Sequence, residues 1–422
     1  MSQDYDFKDS LDVYLFNKRI GVLKRYQRRL EFSYQDSYLQ DSNATQLSSQ
    51  FPLNQKSFEH EVTHNFFSAL LPDEYVREFL AKHLQISVTN TFELLKIVGG
   101  ECAGAVSLYP KNKKKFLKKT NHYRVLTDRE AAKILESLEQ RPFLADDGDI
   151  RMSVAGAQNK LLISFKDNKV AIPLYNSVST HIVKTEIKGF EETVCNEYFC
   201  MRLAQEIGFN VPEINIFELN KKSYYLISRY DRIHDSEGNY SRLHQEDFCQ
   251  ILSFPPETKY EREGGPTLNQ CFNLLKNKIS LGRMQGKTLI DFIDLVIFNF
   301  IIGNGDAHAK NFSILYKAKE ESLAPCYDLL STMVYANPHK SKMAMKLGGE
   351  YKFKNISFRN FEKLAIENDL KVSLVQRRIN YLKDRITSIT SELISRLENQ
   401  DIFRSPIYRK IEKVIKSNLK QI

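Results

Sequence analysis

The sequence predicts an α+β chain of two lobes, a small strand-rich one followed by a helical one. Three observations carry that prediction. Between Arg151 and Ile227 the pattern runs strand, loop, strand, strand, helix and two strands. Helical periodicity then takes over, and Val375, Ile379, Leu382, Ile386, Ile389, Leu393 and Leu397 mark one core-facing stripe near the end. Between them the apolar run Phe292 to Ile302 leads straight into a cluster of polar side chains, Asp306-Ala-His308-Ala-Lys310-Asn311.

The elements follow in order. Leu11, Val13 and Leu15 alternate as in a strand, Asn17-Lys18-Arg19 turns the chain, and Ile20 to Leu23 returns. Phe32 to Tyr34 reads as a third strand. Phe58 to Leu84 reads as helical, and Phe92 to Val98 is a helix stopped by Gly99-Gly100. Ala103 to Leu108 is a short strand. Thr127 to Leu138 is a helix with Asp128 near its positive end, and Asp146 to Asp149 is a turn. Strands are predicted at Leu161 to Phe165, Val170 to Pro173 and Thr180 to Lys184. Glu191 to Ile207 is a helix with Gly208 as its stop. Ile214 to Phe217 and Tyr224 to Ile227 are strands. His244 to Leu252 reads as a helix, Pro255 to Pro266 as an irregular loop, and Thr288 to Ile302 as the central buried helix.

The chain of 422 residues is too long for one ordinary core. Hydrophobic content of 42% excludes a disordered chain. A net charge of +9 suits an acidic partner such as nucleic acid or nucleotide, although solubility explains it equally well. Lys111 to Lys119 holds six lysines and reads as a solvated linker, with contact to an anion as the alternative. The six cysteines form no C-x-x-C pair and no zinc spacing, which points to a reducing compartment. The N-terminus is acidic, unlike a signal peptide, and the Phe292 to Ile302 run is too short to span a membrane. A cytoplasmic protein is expected.

The chemistry lies in four pieces. Asp306 and Asn311 stand five residues apart, the spacing of the base Asp and metal-binding Asn in a protein-kinase catalytic loop. Asp328, in Tyr327-Asp328-Leu329, falls where a second metal-holding Asp is needed. Ser153-Val154-Ala155-Gly156-Ala157-Gln158-Asn159-Lys160 is a small-residue loop between strands, open enough for backbone N–H groups to approach phosphate oxygens. Lys184 ends a strand and precedes a helix carrying Glu197, the order in which kinases place their phosphate-binding Lys and its Glu partner. Ser228, Arg229 and Tyr230 end a strand where an interlobe hinge would meet adenine. Each part alone has an ordinary alternative: a polar turn, a tight hairpin, a solubilising charge. Phosphoryl transfer needs all of them in the chain order small-residue loop, strand Lys, helix Glu, hinge, catalytic loop and metal-holding Asp, and they follow one another in that order.

The chain resembles the HipA family of bacterial type II toxin serine/threonine kinases over nearly its full length. The resemblance rests on Ser153-Val-Ala-Gly-Ala-Gln158, Thr180-His-Ile-Val-Lys184, Asn196-Glu-Tyr198, Gln245-Glu-Asp247, Lys259-Tyr-Glu261 with Gly264-Gly-Pro266, Ile302-Gly-Asn-Gly-Asp306, His308-Ala-Lys-Asn-Phe312 and Tyr327-Asp328. Asn65-Phe-Phe67, Leu71-Pro-Asp73 and Gly104-Ala-Val106 resemble the family's accessory domain. Asn159 and the Asn304-Gly-Asp-Ala-His308 stretch depart from the family pattern.

The resemblance implies a two-lobed protein-kinase-like fold, with a small mixed α/β N-lobe, an accessory N-terminal subdomain and an all-α C-lobe. It implies ATP and Mg²⁺ as cofactors, a helix-turn-helix antitoxin that binds operator DNA, and an aminoacyl-tRNA synthetase as target. Asp306, His308 and Lys310 are then the catalytic candidates, Asn311 and Asp328 the metal ligands. Residues 153–160, Lys184, Glu197 and 228–230 bind ATP, and Ser153 is the site of autophosphorylation. The expected domains are 1–110, accessory; 111–150, linker and helix; 151–230, N-lobe; and 231–422, C-lobe with Gln245 to Pro266 as activation segment. Two other readings are a small-molecule kinase and an ATP-binding corepressor acting through its antitoxin.

Overall fold

Apolar alternation builds the first sheet. Leu11, Val13 and Leu15 of β1 (Asp9–Leu15) are all buried, while Ser10 and Asp12 are not; Tyr14, on the opposite face, is buried as well. In the computed structural model, which describes residues 9–111, 122–138, 142–144, 150–153, 158–175, 177–234, 240–317, 320–336 and 341–422, β1 is an interior strand of its sheet. It pairs antiparallel with β2 (Lys18–Tyr26) and β5 (Val106–Pro110). The sheet continues through β3 (Arg29–Tyr34) to β4 (Ser57–Phe58). The first turn lies at Phe16-Asn17, both at positive φ, one residue before the position expected from sequence. Phe32 is fully buried among Phe51, Phe58 and Phe67 and anchors helix α2 (His60–Ser68) on the sheet.

By contact the chain divides into two units. The first comprises Met1–Lys184 with Ser228–Glu257, the second Thr185–Ile227 with Thr258–Ile422. Besides the first sheet and a short helix α1 (Asp36–Leu39), the first unit holds α3 (Glu74–His83), α4 (Thr91–Val98) and α5 (Asp128–Glu136). It also holds the antiparallel strands β6 (His122–Val125), β8 (Lys169–Leu174), β7 (Lys160–Lys166) and β9 (His181–Lys184), paired in that spatial order. Thr127 caps α5 in a reciprocal pair with Glu130. The Phe58 to Leu84 helix is broken between α2 and α3 around Pro72, which cannot continue a helix interior. The strand expected at Ala103 to Leu108 is displaced to Val106–Pro110.

His244 to Leu252 is not one helix. His244–Asp247 is a strand, β14, after the hairpin β12 (Arg232–His234) and β13 (Tyr240–Arg242), and only Phe248–Ile251 is helical, as α7. Asp247 caps α7 in exchange with Gln250, so the helix starts after it.

The second unit contains the hairpin β10 (Ile214–Leu219) and β11 (Lys222–Ser228), and α6 (Thr193–Ile207), which Gly208 ends at φ 104°. It also contains α8 (Leu268–Ser280), α9 (Lys287–Ile302), α10 (Phe358–Glu367), α11 (Val372–Glu398) and α12 (Ile407–Leu419). The helical stripe on α11 is buried as expected except at Ile389, where Thr390 and Ile394 face inward instead. The helical lobe also carries two hairpins, β15 (Ser313–Lys317) with β16 (Glu320–Leu323) and β17 (Lys342–Leu347) with β18 (Glu350–Lys352). Short strands near loops leave little apolar periodicity to read. Every residue of α9 from Phe292 to Ile302 is buried, and Asn418 of α12 donates to the carbonyls of Phe300 and Ile301. The Phe300 carbonyl also accepts from the Gly303 N–H, so the amide adds a second tie at the helix end.

All six cysteines are buried free thiols. Among the described residues, no helix is long and apolar enough to cross a membrane. The expectations on Val154 to Ala157, Asp146 to Asp149 and most of the Lys111 to Lys119 run fall outside the described residues.

Candidate active site

The polar loop begins where α9 must stop. Gly303 adopts φ 73°, and a Cβ there would lie 2.7 Å from Val414 and 2.9 Å from Met333 Sδ. Asn304, 1% exposed, then ties the loop together. Its Nδ2 donates to Asn299 Oδ1 at 2.8 Å and to the Asp328 carbonyl at 3.2 Å, while its Oδ1 accepts from the Asp306 N–H at 3.0 Å. Thr332 Oγ1 accepts from the Gly305 N–H at 2.7 Å. Asn311 Nδ2 donates back to the Asp306 carbonyl at 2.9 Å. Tyr327 Oη donates to the Lys310 carbonyl at 2.9 Å.

The backbone is thus pinned from four sides, and burial sorts the side chains. His308 and Lys310 are buried. The Asp306 side chain is 44% exposed, which leaves its carboxylate open to a reactant. Its Oδ1 accepts from Tyr260 Oη, and His308 Nε2 lies 3.9 Å from the same oxygen. A carboxylate held on a rigid backbone yet reachable from outside can take a proton from an incoming hydroxyl.

Asp328 sits at φ 53°, a left-handed conformation that aspartate adopts more readily than most residues. Its carbonyl is held by Asn304, so the two acidic residues share one amide as a support. The Asn311 amide nitrogen is committed to the Asp306 carbonyl, which leaves the amide oxygen as the atom Asn311 can offer a metal. One carboxylate and one amide oxygen fit Mg²⁺, which takes few protein ligands and completes its shell with phosphate and water. Glu197, buried on α6, belongs to the same unit. Burial first, then the charges of Glu197 and Asp328, raise the Tyr225 phenol well above its ordinary value.

In the first unit, Lys184 is buried at the end of β9 and pairs in register with Lys160, also buried. Lys184 and Glu197 therefore fall in different units. Gln158 and Asn159 lead into β7. Ser153 is fully buried, and its Oγ donates to the Leu70 carbonyl at 2.8 Å. Ser228 Oγ lies 3.1 Å from His181 Nε2. The Arg229 guanidinium is taken up by Asp231, Ser179 and the Cys102 carbonyl, so its side chain is committed to a buried network. Tyr230 follows directly on that network.

Sequence reading passed over Tyr260 and Asn304 as working groups. The signal for Asn304 was its position one step beyond the helix-ending glycine, where a buried amide is needed. For Tyr260 the only signal was its place within Lys259-Tyr-Glu261.

A family model described as the HipA-like C-terminal domain matches residues 152–399, and one described as the HipA N-terminal domain matches residues 11–109. A protein of Sinorhizobium fredii described as putative kinase Y4mE is 37% identical over 369 residues, 87% of this chain and 86% of its own length. The serine/threonine-protein kinase toxin HipA of Shewanella oneidensis is 30% identical over 313 residues, 72% of this chain and 71% of its own. Among solved structures, the complex of Shewanella oneidensis MR-1 HipA with HipB and operator DNA contains a similar chain. The TM-score is 0.80 at 26% identity, over 97% of this chain and 96% of that one. With both of its domain models matched and kinases among its relatives, the chain belongs to the HipA family of kinase toxins.

Proposed function

We propose that this protein is an ATP- and Mg²⁺-dependent serine/threonine protein kinase, the toxin of a toxin–antitoxin pair. The observation that carries the reading is the 304–311 loop, whose backbone is pinned by Asn304, Asn311, Thr332 and Tyr327 while the Asp306 carboxylate stays open. Asp306 orients the acceptor hydroxyl and takes its proton. His308 and Lys310, buried in the same loop, assist it. Asn311 and Asp328 hold the metal ion, which neutralises charge on the phosphates. Lys184 binds the α/β-phosphates with Glu197 as partner, residues 153–160 cover the phosphates, and 228–230 flank adenine through backbone groups. Residues 151–230 and 231–422 form the two lobes and 1–110 the accessory domain.

The partner is a helix-turn-helix antitoxin that carries the toxin to operator DNA, as the HipA–HipB–DNA complex of the Shewanella relative suggests. The acceptor is a serine of a translation component, an aminoacyl-tRNA synthetase by family resemblance, and six buried thiols suit a cytoplasmic enzyme. Ser153 is the proposed site of self-inactivation. Its hydroxyl must first leave the Leu70 carbonyl, and a phosphate of about −1.5 to −2 charge cannot return to so closed a position. The test is incubation with ATP and host lysate beside an Asp306→Asn control, followed by mass spectrometry. A lysate serine and Ser153 should gain phosphate only with the active protein. No modification of any protein would end the kinase reading, and phosphate everywhere but on Ser153 would end the self-inactivation alone.

A further inference from the structure

The segment from Thr258 to Pro266 makes a contact that the proposed chemistry leaves unused. Tyr260 Oη donates to Asp306 Oδ1 at 2.5 Å. His308 Nε2, at 3.9 Å from that oxygen, is too far to share the role. We propose that Tyr260 is a positioning residue for phosphoryl transfer: its phenol holds one oxygen of Asp306 so that the other faces the acceptor hydroxyl. The proposal rests on reading Asp306 as the base.

Three features support it. The first is rigidity. The Tyr260 carbonyl accepts from both the Glu263 and Gly265 N–H groups at 2.9 Å. The loop closes so tightly that a Cβ on Gly265 would lie 2.1 Å from the Thr258 carbonyl oxygen. Glu261 is anchored in turn by accepting from the Lys346 N–H at 2.6 Å.

The second is that the ring is held independently of its hydroxyl. His308 meets it edge-on at 5.2 Å between centroids, and the Lys259 ammonium and Arg262 guanidinium stand 5.4 and 5.0 Å from its centre. The phenol is therefore delivered to Asp306 by its surroundings.

The third is chemical. A half-exposed carboxylate turns easily about its last torsion, and transfer needs one oxygen aimed at the acceptor. With Oδ1 held, Oδ2 takes the proton as the acceptor oxygen bonds to the γ-phosphorus. The bond from that phosphorus to the β-bridging oxygen breaks, and ADP leaves. Tyr260 keeps its own proton throughout. A segment closed by its own backbone bonds suits a fixed support better than a plug that must withdraw.

Tyr260→Phe keeps the ring and removes the hydroxyl. The assay is the initial rate of labelled γ-phosphate transfer from ATP to lysate proteins, against ATP concentration, for wild type, Tyr260→Phe, Asp306→Asn and the double variant. The limiting rate of Tyr260→Phe should fall about 10- to 100-fold, with half-saturating ATP unchanged and the thermal midpoint lowered by a few degrees at most. The double variant should be no slower than Asp306→Asn alone. A Tyr260→Phe rate equal to wild type, or above it as for a removed plug, overturns the inference and leaves Asp306 as base. Transfer that survives in Asp306→Asn, or is absent from wild type, overturns both.

Discussion

Two regions of this protein are dense in polar groups, and they are built in opposite ways. The 304–311 loop assembles its functional groups from a few neighbouring residues, and it leaves one carboxylate in contact with solvent. The cluster around Glu101 draws on residues far apart in the chain. Arg229, Arg232 and Arg242 converge on the Glu101 carboxylate, and Asp231 bonds to Arg229, Arg232 and the Gly104 N–H. All five side chains are almost completely buried. Nearby, Arg151 donates to the carbonyls of Leu95, Lys96 and Ile97, so it caps α4. The first region keeps a charge reachable, as the proposed chemistry requires. The second buries charges that only their mutual pairing makes tolerable. Charge density alone therefore does not mark an active site. The proposed site is set apart by one exposed charged group on a pinned backbone.

The contrast breaks most sharply at Asp306. Asp306→Asn should lower phosphoryl transfer by about 10³-fold or more while leaving the urea midpoint unchanged, since the group is half exposed and its backbone bonds survive. Parallel transfer assays and urea titrations check both halves. A stable variant with near-normal transfer would remove Asp306 from the chemistry.

Glu101→Gln should do the reverse. Burial disfavours the Glu101 carboxylate, but Arg242, Arg232 and Arg229 outweigh it and hold the group well below the usual carboxylate range. Removing the charge leaves three buried guanidiniums short of a partner, at a cost of about 3–5 kcal/mol in urea unfolding. A loss below about 1 kcal/mol would show that water or relaxation substitutes for the pairing.

pH acts on buried groups outside both regions. His244 is buried, with its Nε2 against the Leu47 carbonyl, and desolvation pushes it down to about 4. Desolvation likewise lowers His181 to about 4. The folded protein thus keeps these imidazoles neutral while the unfolded chain protonates near pH 6.5. Stability is complete above about 6.5 and falls as pH drops towards about 4, by on the order of 3 kcal/mol for His244. Urea titrations between pH 7 and 4.5 should show a shallower fall for His244→Gln than for wild type. Identical slopes would assign the acid sensitivity elsewhere.

The smallest expected effect joins both behaviours in one residue. Asn304→Ala removes the buried amide that links Asp306 and Asp328. It should cost about 1–3 kcal/mol of stability and slow transfer about tenfold through misplacement of the carboxylate. Equal losses for Thr332→Ala would spread the support over the loop. A transfer rate untouched by Asn304→Ala would confine that amide to folding.

The sequence by itself determined what depends on neighbours along the chain. The β1–β2 hairpin was legible from alternation at Leu11, Val13 and Leu15, and α9 from its apolar run. The α6 stop was legible from Gly208, and the 304–311 loop from residue types at short fixed spacing. The break at Pro72 was also written in the residues, although the apolar pattern on either side concealed it. Only the tertiary structure decided the rest. Glu101 looked like any acidic residue after a Gly-Gly stop until residues more than a hundred positions away met it. Arg229 looked like a hinge residue until Asp231 and Ser179 took its guanidinium. His244 joined a strand because tertiary burial of His244 and Glu246, with Gln245 between them partly exposed, outweighed helical propensity over four residues. Tyr260 became a partner of Asp306 because a glycine-closed turn brings it across from another part of the chain. Short-range periodicity and spacing are set by local geometry, which sequence records directly. Pairing between distant charges is set by which surfaces the fold brings together, and a charged residue looks the same in sequence whether it ends in water or in the core.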